Sequence, residues 1–213
     1  MKLPGIIPIF PLPNVVLFPR MPLPLHVFEP RYRTMVRDAA CGPRLIGMVL
    51  LRGDWAETYH GRAPIFATGT VGEMVHVEEL DDGRFNIVLR GLREYAIVRE
   101  FDQGRPYREV AVSWREAPDT HLDSGARETI LRLVRRYLER LGRAAGREPL
   151  LESAADGETF VNFFAQHLDV PVLEKQALLE ATTLADRARR LCDVLEFRLE
   201  ELAHPSTRLG RTH

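Results

Sequence analysis

The residue types able to do chemistry crowd into one short stretch: Ser113, Asp119, His121, Asp123 and Ser124. A serine, a histidine and a carboxylate are the parts of nucleophilic acyl transfer, in which imidazole takes the hydroxyl proton and the acid orients the ring. Such a set is defined by geometry, so closeness along the chain is thin support for it. Serine and aspartate are also the residues that cap helices and close turns, and this stretch falls where a strand pattern gives way to a helix pattern. Capping is the favoured reading. A hydrolase working through Ser113 or His121 ranks third among the function classes.

Other catalytic signatures are missing. The two lysines, Lys2 and Lys175, do not follow a glycine, so no P-loop is present. No G-x-G-x-x-G opens a helix, no G-x-S-x-G elbow occurs, and the seven histidines form no H-E-x-x-H. His26, His76 and His167 lie in ordinary strand or helix contexts, where a solvated or hydrogen-bonded ring is expected. The pairs Glu78-Glu79 and Asp81-Asp82 fall at a hairpin tip, where water solvates them. Cys41 and Cys192 form no C-x-x-C pair and suggest neither a disulfide framework nor a zinc site. The expectation is no catalytic residue, no metal, no cofactor and a reducing cytoplasm.

Bulk properties narrow the classes further. The chain has 213 residues, 45% hydrophobic and 28% charged, with a net charge of −1. That excludes intrinsic disorder and any global pull toward nucleic acid or anionic membrane. The best apolar run, Leu45 to Leu51, is of strand length and far short of a membrane span. Pro4, Pro8, Pro11 and Pro13 break up the start, so no leader is expected.

The elements that must position any site change period along the chain. Ile6 to Phe10, Val15 to Phe18 and Leu23 to Val27 are proline-punctuated and read as short edge or corner strands. Pro30 opens a helix with Tyr32, Met35, Val36 and Ala39 on one face, ending at Gly42-Pro43. Arg44 to Leu51 reads as a buried central strand, 53–63 as a loop, and Ile65 to Val98 as a long β stretch turning at Asp82-Gly83. Gly91 predicts a bulge or bend, and Tyr107 to Trp114 closes the β part. Helical spacing then takes over: Ile130 to Leu141, Phe160 to Leu168, Leu173 to Leu178, and a last helix starting at Thr183-Leu-Ala-Asp186. Strands followed by segregated helices imply an α+β fold. The expected organisation is a β subdomain over 1–117, a helical subdomain over 118–204 and a tail over 205–213.

Two surfaces suggest partners. From Arg127 to Arg147 the chain holds seven arginines against Glu128 and Glu139, a face that suits phosphates although only Tyr137 offers stacking. An RNA- or DNA-binding protein using this helix is the second function class. The proline-rich entry, from Phe10 to Tyr32, is the other surface, with Phe18-Pro-Arg-Met21 in a loop that would expose apolar side chains.

As a set these residues are familiar. The run from Ile7 to Tyr32, IPIFPLPNVVLFPRMPLPLHVFEPRY, resembles the opening of the Lon protease N-terminal (substrate-binding) domain family. Ala67 to Val75 and Asp82 to Tyr95 are similar to that domain's central β motif, and Phe164 to Leu168, Glu174 to Glu180 and the final leucine helix continue the match. The resemblance implies a PUA-like β pseudo-barrel followed by a packed α-helical bundle. It implies a stand-alone bacterial form that recognises unfolded polypeptide or a protein client. A separate ATP-dependent protease is then a further partner, nucleic acid a lesser one, and no membrane is involved. No catalytic residue of the family has a counterpart here, so activity is not carried over. The residues expected to bind peptide are Phe18, Arg20, Met21, Phe28 and Tyr32.

Overall fold

A computed structural model describes residues 3–59, 61–102, 104–116, 120–142 and 156–204. Among these residues six strands form one sheet: β1 (Ile6–Leu12), β2 (Pro22–Val27), β3 (Leu45–Leu51), β4 (Ile65–Glu79), β5 (Phe85–Phe101) and β6 (Arg108–Trp114). Among the described residues five helices accompany them: α1 (Pro30–Ala40), α2 (Ser124–Arg140), α3 (Gly157–His167), α4 (Val172–Leu179) and α5 (Leu184–Ala203). A 3-10 turn, Ala56–Thr58, interrupts the loop after β3. The fold is α+β, as the change of period predicts.

The strand order is β2-β5-β4-β3-β1-β6, and β6 also pairs with β5. That last pairing closes β1, β3, β4, β5 and β6 into the pseudo-barrel, with β2 attached to the near half of β5. β3 runs parallel to β1 and antiparallel to β4. Every residue of β3 is buried because it has a core on each face. Leu45 and Val49 join Ile7, Ile9, Val71, Tyr95 and Val110 inside the barrel. Ile46 and Met48 join the core between the sheet and α1, with Tyr32, Met35 and Val36 of α1 and Phe85, Ile87 and Leu89 of β5. A strand buried on both sides loses the usual alternation, which is why its sequence is a continuous apolar run.

Tyr95 organises the barrel interior. Its ring is fully buried and its hydroxyl donates to the Met48 carbonyl at 3.1 Å. The ring fits because Gly69 stands opposite it, where a Cβ would overlap both the Met48 carbonyl oxygen and the tyrosine.

Two sequence expectations need correction. Val15 to Phe18 forms no strand; Val16, Leu17 and Phe18 are buried, but the segment leads into a turn and pairs with no ladder. Burial alone gave it a strand-like composition. The hairpin at Asp82-Gly83 is also longer than a two-residue turn. Leu80 N–H donates to Arg84 and Gly83 N–H to Leu80, leaving a three-residue loop with only Gly83 in the left-handed region (φ 76°). The expected irregularity at Gly91 is a bulge: Val71 pairs with Arg93 and Gly72 with Gly91, leaving Leu92 as the extra residue.

The chain divides into two compact units. The first comprises Met1–Ala117 with Gln166–Glu180, the second Pro118–Ala165 with Ala181–His213. Residues 166–180, expected with the helical subdomain, fall in the first unit instead. Their anchors are polar: Gln176 Nε2 donates to the Thr68 carbonyl at 3.1 Å, and Arg115 Nη1 to the Leu179 carbonyl at 2.9 Å. The second unit has its own core of Ile130, Leu133, Val134, Phe160, Phe164, Leu191 and Leu195. Its buried Arg187 donates to Asn162 Oδ1 at 2.6 Å. Thr183 caps α5 as predicted, its hydroxyl accepting from Asp186 N–H at 3.0 Å.

Candidate functional site

The expected peptide-binding residues divide sharply. Phe18, Met21 and Tyr32 are buried, at 0%, 4% and 3% exposure, whereas Phe28 is 60% exposed and Arg20 lies at the surface. A patch formed by Phe18 and Met21 is therefore ruled out in the folded state: both side chains fill the interior. Tyr32 lies on the buried face of α1, its ring centroid 4.2 Å from that of Phe10. Burial pushes its hydroxyl well above the usual tyrosine range, with the Arg31 charge opposing.

The loop that carries Phe18 is shaped by its main chain. Met21 N–H donates to the Phe18 carbonyl at 3.2 Å across Pro19 and Arg20, and Arg20 has φ 68°. Proline in the second position and a left-handed third residue make this a type II turn. Arg20 N–H then donates to the Gly91 carbonyl at 2.8 Å, and Gly91 N–H to the Met21 carbonyl at 2.9 Å, so the turn is stitched to β5.

From Met21 the antiparallel ladder sets which way β2 faces. Met21 points its carbonyl at β5, so Leu23, Leu25 and Val27 do the same with their main-chain groups, and Pro22, Pro24 and His26 turn theirs outward. Both prolines thus fall where an edge strand would offer N–H groups to an incoming chain. Over two consecutive outward positions the edge presents acceptors alone. Extension of this sheet by a full partner strand is blocked.

The face of the same sheet is open. Directly paired residues project to one side, which gives three rows across β2, β5 and β4. Pro22, Arg90 and Glu73 form the first, with Arg90 Nη2 2.8 Å from Glu73 Oε2. Pro24, Val88 and His76 form the second; beside it Val75, the extra residue of a bulge, is half-exposed. His26, Asn86 and Glu78 form the third. His26 Nδ1 lies 2.8 Å from Asn86 Oδ1, Asn86 Nδ2 donates to Glu78 at 2.9 Å, and Arg84 Nη1 is 3.2 Å from His26 Nε2. Arg84 can only donate, so in this arrangement His26 accepts at Nε2 and its Nδ1–H donates to Asn86 Oδ1. Phe28 follows, its ring centroid 6.3 Å from that of His26. The result is an apolar strip of Pro24, Val88, Val75 and Phe28 bordered by polar groups that already have partners.

Alternation could have found Val88, since Phe85, Ile87 and Leu89 point into the core and Val88 must then face solvent. Val75 carried no such signal, because its direction depends on the bulge between Met74 and His76.

Other candidates do not assemble a site. Asp123 accepts from Ala126 N–H at 3.1 Å and so serves as the N-cap of α2; Ser113 is exposed on β6, and Asp119 lies outside the described residues. Glu29, Arg31 and Tyr59 interlock beside Tyr32, with Tyr59 donating to Glu29 at 2.6 Å and Arg31 Nε at 3.0 Å. The adjoining cavity, of about 10 Å³, is too small for more than one water. On α2, Arg132, Arg135, Arg136 and Arg140 are exposed opposite the apolar stripe, but Tyr137 is buried, which removes the one stacking ring. Arg136 and Arg140 share an open groove of about 250 Å³ with Glu196 and Glu200. Arg143 and Arg147 lie outside the described residues. Among the described residues no cluster of three or more His, Cys, Asp or Glu side chains is placed to hold a metal ion, and no helix is long and apolar enough to cross a membrane.

Comparison with known proteins gives a consistent picture. The family model of the ATP-dependent protease La (LON) substrate-binding domain matches residues 6–196. The Lon protease of Anaeromyxobacter dehalogenans is 29% identical over 94% of this chain and 24% of its own length. Lon protease 2 of Myxococcus xanthus gives the same identity and the same shares. This chain thus spans about a quarter of the curated relatives it matches. Among solved structures, a Lon N-terminal domain protein from Xanthomonas campestris aligns with a TM-score of 0.67 at 23% identity, covering 88% of this chain and 97% of that one. The N-terminal domain of Lon protease from the Mycobacterium avium complex aligns with a TM-score of 0.64 at 17% identity, covering 90% and 98%. The matched region is the N-terminal, substrate-binding part.

Proposed function

The chain belongs to the family of ATP-dependent protease La (Lon) substrate-binding domains, and from that premise we propose that it is a non-catalytic module that binds unfolded polypeptide. Its binding face is the open side of the β2–β5–β4 sheet, with Phe28, Pro24, Val88 and Val75 as the apolar contacts. Arg20, at the neighbouring turn, is a peripheral contact. In this reading the module acts as an adaptor or chaperone-like factor for an ATP-dependent protease, in the cytoplasm.

The observation that carries the reading is the 60% exposure of Phe28 beside an apolar strip on a sheet whose opposite face packs against the core. An exposed aromatic at the end of an apolar strip is the kind of feature that marks a contact surface. Recognition through side-chain patches, without a full strand addition, suits a client of no fixed sequence. Affinity is then modest, because ordering a disordered chain offsets much of the contact energy.

The test is a titration of a fluorescein-labelled polypeptide, reduced and alkylated so that it cannot refold, followed by anisotropy at low and moderate salt. Saturable binding that survives added salt and falls at least about tenfold in Phe28→Asp is the expected result. Binding confined to an oligonucleotide, steeply salt-dependent and weakened by Arg132→Glu with Arg136→Glu, would replace this reading with the nucleic-acid one.

A further inference from the structure

One side chain of the barrel unit does something unusual at the edge of β2. Gln166 Oε1 accepts from Phe18 N–H at 3.1 Å, while Gln166 Nε2 donates to the Pro22 carbonyl at 2.8 Å. The amide orientation is fixed by its partners, since Phe18 offers only a donor and Pro22 only an acceptor. The last turn of α3 holds the residue in place, with Lys175 Nζ donating to the Gln166 carbonyl at 2.7 Å.

A primary amide carries the same C=O and N–H as a peptide group. Gln166 therefore makes the pair of bonds that one residue of an extended chain would make at this point: accepting from Phe18 and donating to Pro22. The pair lies at the start of β2, on the outward side that the prolines otherwise leave without donors. Next along the edge come the outward carbonyl of Pro24 and then the N–H and carbonyl of His26, which lead toward Phe28.

We propose that Phe18 N–H and the Pro22 carbonyl form a main-chain recognition slot, that the Gln166 amide occupies it in the unliganded protein, and that one residue of a bound, extended polypeptide takes its place. The ligand class is polypeptide main chain, whatever its sequence. This rests on the polypeptide-binding reading and deepens it: the side-chain strip supplies contact area, and the slot supplies register. The slot also explains how an edge closed to full strand addition can still read a backbone, since a single residue needs no N–H from either proline.

Exchange of one amide for another leaves the number of hydrogen bonds unchanged, so in the natural protein the slot adds little to affinity. Removing the competitor changes that. In Gln166→Ala the incoming residue no longer has to displace the glutamine amide from Phe18 N–H and the Pro22 carbonyl, which raises affinity for the unfolded polypeptide on the order of tenfold. The same polypeptide N-methylated at every residue, which cannot donate anywhere, should show no such gain. A purely structural glutamine predicts the reverse, a less stable protein that binds no better. Thermal unfolding of each variant, run alongside the titration, separates a folding defect from a binding change. Gln166→Glu adds a second check, because it retains the acceptor for Phe18 but sets a carboxylate against the Pro22 carbonyl; it too should bind more tightly than the natural protein. Equal or weaker binding by Gln166→Ala and Gln166→Glu, with wild-type binding intact, overturns the slot alone. Absence of binding by every protein overturns the slot together with the reading on which it rests.

Discussion

The closed barrel and the open β2–β5–β4 sheet share strands yet solve opposite problems. In the barrel each strand is paired on both sides, the interior is filled by Ile7, Ile9, Leu45, Val49, Val71, Tyr95 and Val110, and no edge remains among its described strands. In the sheet one face is packed beneath α1, the other faces solvent, and the β2 edge is blocked by two prolines instead of a partner. Closure removes edges at the cost of accessible surface. Proline blocks an edge while leaving the adjacent face accessible. The barrel is thus the part that sets stability, and the sheet is the part with surface to spare for a client.

The largest effect should come from breaking the barrel. Gly69→Ala puts a methyl group into the Met48 carbonyl and the Tyr95 ring, neither of which can retreat from a filled interior. It should cost about 3 kcal/mol or prevent folding, as measured by urea denaturation. The sheet should respond in the opposite sense. Phe28→Asp removes an exposed ring and should change stability by no more than about 0.5 kcal/mol while lowering polypeptide affinity at least about tenfold. If Phe28→Asp destabilised as much as Gly69→Ala, the division of labour between the two regions would fail.

A smaller effect sharpens the contrast from the side of pH. Burial raises Tyr95 in the barrel and Tyr32 on the buried face of α1 well above the usual tyrosine range. Tyr107 is pushed up to about 12, first by burial and then by its hydrogen bond to Asp38, with Arg105 opposing. An unfolded tyrosine ionises near 10, so between about 10 and 12 the unfolded chain has lost protons that the folded one retains. Stability should accordingly be flat in this respect below pH 10 and fall as the pH rises toward 12. Tyr107→Phe should make that fall shallower in a series of alkaline denaturation curves.

Much of the barrel was legible in the sequence, for reasons that differ by element. The β3 run is apolar without alternation because it has two cores, and α1 shows its buried stripe at Tyr32, Met35, Val36 and Ala39. The Thr183 cap was legible because its chemistry is local. Val15 to Phe18 misled because β-branched, buried residues look alike whether they pair in a ladder or fill a loop. The same ambiguity affects the site. A phenylalanine in a proline-rich stretch gives no sign of which way it points, so Phe18 and Phe28 were equally good candidates, and only the ladder starting at Met21 separates them. The Gln166 contact spans 148 residues to Phe18 and runs through a side-chain amide to main chain, which leaves no trace in periodicity.

The most direct test of the central claim is to record backbone amide spectra of the protein while titrating in the alkylated, unfolded polypeptide. The account predicts shifts concentrated on the open sheet, at His26, Phe28, Val75, His76 and Val88, extending to Phe18 and to the side-chain amide of Gln166. Shifts confined to the arginine face of α2, or to barrel residues around Tyr95 with the sheet silent, would contradict it.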